Sequence, residues 1–373
     1  MKNYDVRAAC AALFAIALLA TGGCAASGVS ATPSLSTDST AASAASSKLT
    51  YKVFTAGTTP GFPSSAFAAD IAPGTNGTMW FTDGGAAPAI GRISAAGTIK
   101  EFRNGLMPYA KPFRIALGAD GNMWFSDAGN LAIGRVTPSG KLTEFSAPNP
   151  NQIGTRGLAF AKDGTPWFIT CGGNAVLGSV SAQGKMSMET VPTDLNPDGT
   201  LAADARGDLW FLAIDQNSAG VVVERLPSGR LLKLPMHLDH GAEPCCPNEA
   251  PRRLTIGPDG HPWFTTQYFV SNTGANYIGT VRSGKVVLFT VKGYNTTGTA
   301  YPSGIASGKT LWFTGGNPFG LSGGLWNVGA KGRQTAYKLP YNPFGLTVDA
   351  AGNPWFTATF NSTPSQIVEA IVR

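Results

Sequence analysis

Residues 118–145 decide the fold, because they contain one complete copy of a unit that recurs along the chain: GADGNMWFSD (118–127), IGRV (133–136) and KLTEF (141–145). The Trp-Phe pair of this unit occurs seven times, at intervals of 43 to 53 residues. The seven pairs are Trp80-Phe81, Trp124-Phe125, Trp167-Phe168, Trp210-Phe211, Trp263-Phe264, Trp312-Phe313 and Trp355-Phe356. A repeat of about 40–45 residues is typical of β-propellers, in which each repeat forms one four-stranded blade.

The pattern within each unit predicts the four strands. An aliphatic residue such as Ile115 stands nine positions before the Trp in six of the units, and an Asn-Gly or Asp-Gly pair lies between them in several. Such pairs accept a positive φ and close tight hairpins, so the first two strands are expected to be antiparallel neighbours. The segments equivalent to 133–136 and 141–145 predict the third and fourth strands. Trp and Phe are adjacent on one strand and therefore point to opposite faces, where they are expected to form the core between blades.

The two ends of the repeat region indicate a closed ring. After Trp355 the chain has room only for a third strand, at 366–372. The segment KLTYKVF (48–54) resembles KLTEF (141–145) and is expected to supply the missing outer strand, which would leave no open edge between the first and last blades. The sequence therefore predicts an all-β, seven-bladed β-propeller over residues 48–373, with the last blade closed by the N-terminal strand.

Composition limits the possible fold and function classes. Only 13% of the 373 residues are charged, and 47 Gly and 26 Pro argue against a helical bundle. The net charge of +6 is spread along the chain without a basic run. Nucleic acid is therefore not expected as a partner.

The N-terminal segment has the features of an export signal. Lys2 and Arg7 precede an apolar stretch, 8–20, which is too short to span a bilayer and is typical of a signal-peptide core. The following TGGC (21–24) resembles a bacterial lipobox, which implies removal of residues 1–23 and lipidation of Cys24. The alternative is an ordinary secretory signal that is cut nearby, for example after Ala26.

Residues 24–47 consist almost entirely of Ala, Ser, Thr, Gly and Pro, which is typical of a flexible tether. We therefore expect an exported protein of the cell envelope or periplasm, whose only membrane contact is a lipid on Cys24.

The repeated unit resembles that of the streptogramin B lyases, the virginiamycin B lyase family, over residues 48–373. The resemblance implies a lyase that opens a cyclic depsipeptide by elimination at its ester, with a base that removes a proton and a Mg²⁺ ion that stabilises the enolate. In the family, a Glu-Pro-His-Gly-Ile segment supplies a metal-binding Glu and the basic His, and a second Glu follows the next Trp by four positions.

This chain departs from the family at all three positions. Asn342 stands in place of the first Glu, Phe344 in place of the His, and Thr359 in place of the second Glu. Phe cannot accept a proton, and Asn with Thr is a poor substitute for two carboxylates around Mg²⁺. The family chemistry is therefore not expected at this place. Mg²⁺ is expected only if the lyase chemistry is retained, and the cofactor is otherwise unknown.

The family geometry places residues just before each first strand, and just after each Trp-Phe pair, on one rim around the channel. The candidate ligand-binding residues on this rim are Arg114, Arg156, Arg252, Arg253, Asp83, Asp127, Asn342 and Phe344. The arginines could form a cationic cup for an anionic or carbonyl-rich ligand, because guanidinium groups match carboxylates and phosphates. Alternatively, Arg114 and Arg156 pair with Asp83 and Asp127 across neighbouring blades and only stabilise the rim.

The longest interval between two units contains HLDHGAEPCCP (237–247), with His237, His240, Cys245 and Cys246. In an exported protein, Cys171 could form a disulfide with Cys245 or Cys246, or the two adjacent cysteines could join each other. Alternatively, the two histidines and a thiol could bind a metal, although the spacing matches no strong motif, or the cluster has no function. His237 or His240 is also the only base that the sequence offers for relocated acid–base chemistry.

Two functions remain open. The first is a monomeric propeller that binds a small molecule, a peptide or a protein on its Arg-bearing face and lacks the family's His/Glu chemistry. The second is a carbon–oxygen lyase that acts on a cyclic depsipeptide or a related ester at a relocated site, with His237 and His240 as catalytic residues.

Overall fold

The computed structural model describes residues 49–146, 154–172, 174–217, 219–236, 249–268, 277–291, 301–316, 323–358 and 364–372. These residues form seven four-stranded sheets, in which neighbouring strands are antiparallel. The predicted all-β, seven-bladed propeller is therefore confirmed. None of the described residues belongs to a helix long and apolar enough to cross a membrane.

Blade 1 consists of β2 (Ala68–Pro73), β3 (Met79–Asp83), β4 (Ala89–Ile93) and β5 (Ile99–Phe102). Blade 2 consists of β6 (Pro112–Leu117), β7 (Met123–Asp127), β8 (Ala132–Val136) and β9 (Leu142–Ser146). Blade 3 consists of β10 (Thr155–Phe160), β11 (Pro166–Thr170), β12 (Val176–Val180) and β13 (Met186–Thr190).

Blade 4 consists of β14 (Leu195–Ala203), β15 (Leu209–Asp215), β16 (Gly220–Arg225) and β17 (Leu231–Pro235). Blade 5 consists of β18 (Glu249–Ile256), β19 (Pro262–Tyr268), β20 (Tyr277–Arg282) and β21 (Lys285–Thr290). Blade 6 consists of β22 (Tyr301–Ser307), β23 (Leu311–Gly316), β24 (Gly323–Val328) and β25 (Gln334–Leu339), with a 3₁₀ turn at Ala330–Gly332. Blade 7 contains β26 (Pro343–Val348), β27 (Pro354–Ala358), β28 (Gln366–Val372) and, as its outer strand, β1 (Leu49–Thr55).

The outer strand of blade 7 comes from the other end of the repeat region. β1 runs antiparallel to β28, with Tyr51 opposite Ala370 and Phe54 opposite Ile367. The Phe54 ring is buried and stacks on Trp355 with a centroid distance of 6.0 Å. This pairing and stacking tie the start of the described chain to its end.

The Trp-Phe pairs build the core, as the sequence predicts. The seven Phe rings are buried, and in four blades the ring lies across a Gly on the third strand. A Cβ placed on Gly134 would lie 1.9 Å from Cζ of Phe125, and one on Gly91 would lie 2.1 Å from Cζ of Phe81. The Gly of the IGRV segment is therefore required by the ring that covers it.

The first strands of neighbouring blades contact each other around the whole ring and enclose a central channel. Each of these strands, β2, β6, β10, β14, β18, β22 and β26, is hydrogen-bonded to a strand of its own blade on one side only. Its other edge is free of sheet pairing and faces the channel, so backbone N–H and C=O groups contribute to the wall.

Candidate functional site

A β-bulge interrupts the first strand of every blade at one mouth of the channel. The pairing register shifts between Ala68 and Asp70, Pro112 and Ile115, Thr155 and Gly157, Pro197 and Leu201, Pro251 and Arg253, Pro302 and Ile305, and Pro343 and Leu346. A bulge releases its residues from the ladder and turns their side chains in a new direction. Six residues within these shifts have charged or aromatic side chains that concern the site: Phe113, Arg114, Arg156, Asp198, Arg252 and Phe344.

The bulges surround a cavity of about 340 Å³ that is lined by residues from all seven first strands. Asp70, Arg114 and Arg253 line it, together with Thr200 and Gly304. A volume of this size lies at the lower end of the range for ligand pockets, so the cavity suits a small molecule.

The Arg114 side chain lines the cavity and lies over an aromatic ring. Its Nη1 is buried and has no hydrogen-bond partner among the residues that the structure describes. The guanidinium lies 4.7 Å from the centroid of the Phe113 ring, and Arg156 lies 5.0 Å from the same ring. The two cations thus share one aromatic ring. For Arg114, this cation–π contact does not replace the hydrogen-bond acceptor that Nη1 would need.

Two carboxylates oppose part of this positive charge. Oδ2 of Asp70 accepts a hydrogen bond of 3.2 Å from the backbone N–H of Ile115, and Asp198 accepts from the backbone and the hydroxyl of Thr200 at 2.9 and 2.7 Å. Burial raises the pKa of Asp70 to about 6, against the attraction of the Arg253 cation. Burial raises the pKa of Asp198 to about 7, against the Thr200 hydrogen bonds and the Arg252 and Arg156 cations.

The arginines of blade 5 are buried as well. Burial lowers the pKa of both Arg252 and Arg253, while Asp198 and Asp70, respectively, act in the opposite direction. Arg253 also lies 5.5 Å from the centroid of the Phe344 ring. With four arginines and two aspartates, the mouth carries an excess of positive charge, so an anion would relieve the cost of burying these cations.

Hydroxyl groups two positions after the Trp hold the bulges in place. Ser126 Oγ accepts from the backbone N–H of Arg114 at 3.0 Å and donates to the carbonyl of Arg156 at 3.2 Å. Thr82 does the same one blade earlier, between the N–H of Asp70 and the carbonyl of Phe113, at 3.1 and 3.0 Å. Each hydroxyl therefore connects the bulge of its own blade to the bulge of the next.

The residues at the family's catalytic positions have other roles here. Phe344 provides a ring beside Arg253, and Asn342 lies against Gly316, where an added Cβ would be 2.0 Å from its Oδ1. Asp70 lies next to this segment, since a Cβ on Gly345 would be 3.2 Å from the Asp70 Cα. One amide oxygen and one phenyl ring do not fit a Mg²⁺ ion, which prefers carboxylates and water in octahedral geometry.

Asp83 and Asp127 lie at the same rim but bind its loops rather than line the channel cavity. Oδ1 of Asp83 accepts from the backbone N–H groups of Phe67 and Gly85, and Oδ1 of Asp127 accepts from those of Lys111 and Gly129. Asp83 and Arg114 form no ion pair among the described residues. The structure thus gives both aspartates a role in fixing the loops around the mouth.

Each of these aspartates faces a glutamate on the outer strand of its own blade. Burial, together with the Asp83 charge, raises the pKa of Glu101 to about 7, and Arg103 opposes this shift. Burial also raises the pKa of Glu144 to about 7, against the hydrogen bond that its carboxylate accepts from the Met107 backbone. Two buried carboxyl groups in contact are expected to share a proton, since both cannot be charged without a large cost.

Several predicted site residues lie outside the part of the chain that the structure describes. They are Cys24, His237, His240, Cys245 and Cys246. Cys171 is described and is buried. The disulfide, the lipidation and the catalytic role of the two histidines therefore stay predictions. Within the described residues, no group of three or more His, Cys, Asp or Glu side chains could hold a metal ion.

The sequence analysis missed Asp70 and Asp198 as site residues. Asp70 directly precedes the aliphatic residue Ile71, just as Arg114 precedes Ile115, so the repeat register already contained the signal for it. Asp198 lies three residues before Leu201, and only the longer bulge of blade 4 brings it to the mouth.

The sequence model of the virginiamycin B lyase family matches residues 47–244 of this chain. No curated protein matches the sequence. Among solved structures, a streptogramin B lyase is 22% identical, with a TM-score of 0.67, and the match covers 87% of this chain and 98% of that chain.

Two further solved structures resemble the chain. A catalytically inactive virginiamycin B lyase from Staphylococcus aureus with quinupristin is 20% identical, with a TM-score of 0.65, over 87% of this chain and 100% of that chain. YCF48 bound to D1 peptide is 12% identical, with a TM-score of 0.60, over 87% of this chain and 97% of that chain. At these identities the likeness shows a shared fold.

Proposed function

Because the chain belongs to the virginiamycin B lyase family, we propose that it is a binding propeller of that family, which holds a small anionic ligand at the bulged mouth of its channel. In this proposal the chain does not use the family's His/Glu chemistry, and it acts as a monomer. A peptide or protein partner would present its own carboxylate to the same mouth.

The observation that carries the proposal is the buried Nη1 of Arg114, which has no hydrogen-bond partner among the described residues. A buried donor without an acceptor costs about 1–3 kcal/mol, and a charged one more. A ligand carboxylate would supply the acceptor and also neutralise part of the charge on Arg114. The cavity beside this group has the volume for such a ligand.

The aromatic and amide side chains at the family's catalytic positions also support the proposal. Phe344 provides neither a base nor a ligand, and it stacks with Arg253. Asn342 lies against Gly316 of the neighbouring blade. These two side chains do not fit Mg²⁺, which prefers carboxylates and water.

We further propose export and lipid anchoring at Cys24, on the basis of the apolar segment 8–20 and TGGC (21–24). The tether 24–47 would then separate the propeller from the membrane by an r.m.s. distance of about 25–30 Å, if it behaves as a flexible chain. Mass spectrometry of the intact mature protein should find a diacylglycerol-modified Cys24 as its first residue. A first residue at position 27 would support the ordinary secretory signal instead.

Calorimetric titration tests the binding function directly. Wild-type protein is titrated with trifluoroacetate, succinate and phosphate, and with methylammonium as a cationic control. At least one anion should bind, and Arg114→Gln should weaken that binding at least tenfold, because a charge-assisted hydrogen bond is lost. The matched control is Arg135→Gln, since Arg135 stacks on Trp124 at 5.4 Å and is not among the residues that line the cavity. Equal affinities of wild type and Arg114→Gln, or no anion binding at all, would reject the proposal.

The second candidate is a carbon–oxygen lyase with a relocated site, which family membership favours. This candidate predicts that a cyclic depsipeptide is opened when Mg²⁺ is supplied, and that His237→Ala or His240→Ala abolishes the turnover. Absence of turnover in the wild-type protein would eliminate it.

A further inference from the structure

We infer that the channel mouth binds its anionic ligand together with a proton. The ligand replaces the Asp70 carboxylate as the counter-charge of Arg253, and Asp70 accepts the proton. This inference rests on the proposed anion binding and adds to it how pH regulates the site. The only bond that forms is the O–H bond of the Asp70 carboxyl group, with a proton taken from solvent, and at most one proton is taken up for each anion bound.

The positions of the two residues in the ring carry the argument. Asp70 belongs to blade 1 and Arg253 to blade 5, and their first strands, β2 and β18, are not neighbours. Both residues line the same cavity. Their electrostatic attraction therefore acts across the channel, through the space that a ligand would occupy.

An anion in that space changes the balance at Asp70 in two ways. It adds a negative charge close to the carboxylate, and it takes over the attraction of the arginines. Both changes disfavour the ionised form of a carboxyl group. Asp70 starts from a pKa of about 6, because its burial already outweighs the stabilising effect of Arg253. A further rise of about one unit would make protonation on binding substantial near pH 7.

The other groups in the bulges around the mouth limit the alternatives. β6 and β10 contribute Arg114 and Arg156. β14 contributes Asp198, β18 contributes Arg252 beside Arg253, and β22 and β26 contribute the uncharged Ser303 and Phe344. Among the described residues of these bulges, Asp198 is thus the other carboxyl group that could supply the same effect. The Asp198 carboxylate accepts from the backbone and the hydroxyl of Thr200, while that of Asp70 accepts from backbone N–H groups, including that of Ile115.

Calorimetry in buffers of different ionisation enthalpy measures the number of protons taken up on binding. Trifluoroacetate serves as the probe because it stays fully ionised over the pH range used. For the wild-type protein, a pKa of Asp70 that rises from about 6 to about 7 on binding predicts uptake of about 0.4 proton at pH 7 and about a fivefold loss of affinity between pH 6 and pH 8.

Asp70→Asn should bind trifluoroacetate at least as tightly as the wild type does at pH 8. The variant should also lose most of the proton uptake and most of the pH dependence of the affinity. Asp198→Asn should keep the uptake, and Asp163→Asn, in an exposed hairpin turn, is the matched surface control. Near-UV circular dichroism of each variant verifies the fold, and Asp70→Ala is the second variant if Asp70→Asn is not folded.

The outcomes separate the two proposals. Binding without proton uptake, or unchanged uptake in Asp70→Asn, overturns the inference and leaves the anion site intact. Uptake that disappears in Asp198→Asn instead assigns the proton to Asp198 and also overturns it. No binding of trifluoroacetate, succinate or phosphate at any pH rejects the binding function, and the inference with it.

Discussion

Gly134 shows how a single position fixes the interior of a blade. The Phe125 ring occupies the space that a side chain would need, so an added Cβ would meet Cζ at 1.9 Å. We expect Gly134→Ala to lower the free energy of unfolding by about 1–3 kcal/mol through overpacking, as measured by chemical denaturation. Gly329→Ala is the control, because its Cβ would meet no atom closer than 3.8 Å and its φ is not positive. Equal stability of the two variants would contradict this explanation of the repeat's Gly.

The sequence predicted that Phe125 belongs to the core, because the Trp-Phe pair recurs in every blade, but it did not predict that Gly134 lies under the ring. It predicted the charged mouth less completely. The register placed Arg114, Arg156, Arg252 and Arg253 on the rim, but it did not indicate that Asp83 and Asp127 bind backbone N–H groups instead. The same two hydrogen bonds recur in blades 1 and 2, from the N–H groups 16 positions before and two positions after the aspartate. The residue type alone did not reveal them, because an aspartate at a rim can bind a ligand or a loop backbone equally well.

At the scale of the strands, the Ser126 hydroxyl is the connection on which the position of Arg114 depends. It joins the β6 bulge to that of β10 through the Arg114 N–H and the Arg156 carbonyl. Ser126→Ala should lower the free energy of unfolding by about 1–2 kcal/mol, since it leaves a buried N–H without its acceptor. It should also weaken anion binding several-fold in calorimetry.

The matched control for this prediction is Ser126→Thr, because Thr82 performs the same function in blade 1. The threonine variant should retain most of the stability and of the affinity. If Ser126→Ala binds anions like the wild type, the hydroxyl does not position Arg114.

Strand β1 gives a second test at this scale. Phe54 is buried against Trp355 and lies opposite Ile367, whereas its neighbour Val53 is 36% exposed. Phe54→Ala should cost about 3–5 kcal/mol in denaturant unfolding, as expected for truncation of a core Phe, and Val53→Ala should cost much less. Similar small losses in both variants would show that β1 does not stabilise blade 7.

For the whole molecule, the buried carboxyl groups predict an unusual dependence of stability on pH. The pKa of Asp70 is raised to about 6, and those of Asp198, Glu101 and Glu144 to about 7. The folded state therefore holds protons that the unfolded state has already released between about pH 4 and pH 7. Folding stability should then fall as pH rises through this window, because the unfolded chain binds fewer protons than the folded one.

Thermal unfolding at pH 5 and at pH 8 measures this effect. The melting temperature should be higher at pH 5, and Glu144→Gln should raise the value at pH 8 by about 2 °C while changing it little at pH 5. A melting temperature that rises from pH 5 to pH 8 would contradict the account of these carboxyl groups.

In the whole molecule, the fold and the function are specified by different parts of the sequence. Seven copies of one strand pattern specify the ring so strongly that the sequence predicted it in full. The ligand depends on a few unique side chains at the mouth, and a family whose usual Glu and His are replaced by Asn342 and Phe344 offers no direct guide to them.

A crystal of the wild-type protein soaked in 3-bromopropionate would locate the anion directly, because bromine has an anomalous signal. We expect a bromine peak inside the channel mouth beside Arg114, and no such peak in crystals of Arg114→Gln. Bromine found only outside the channel, or a channel peak that persists in the variant, would contradict the assignment of this mouth as an anion site.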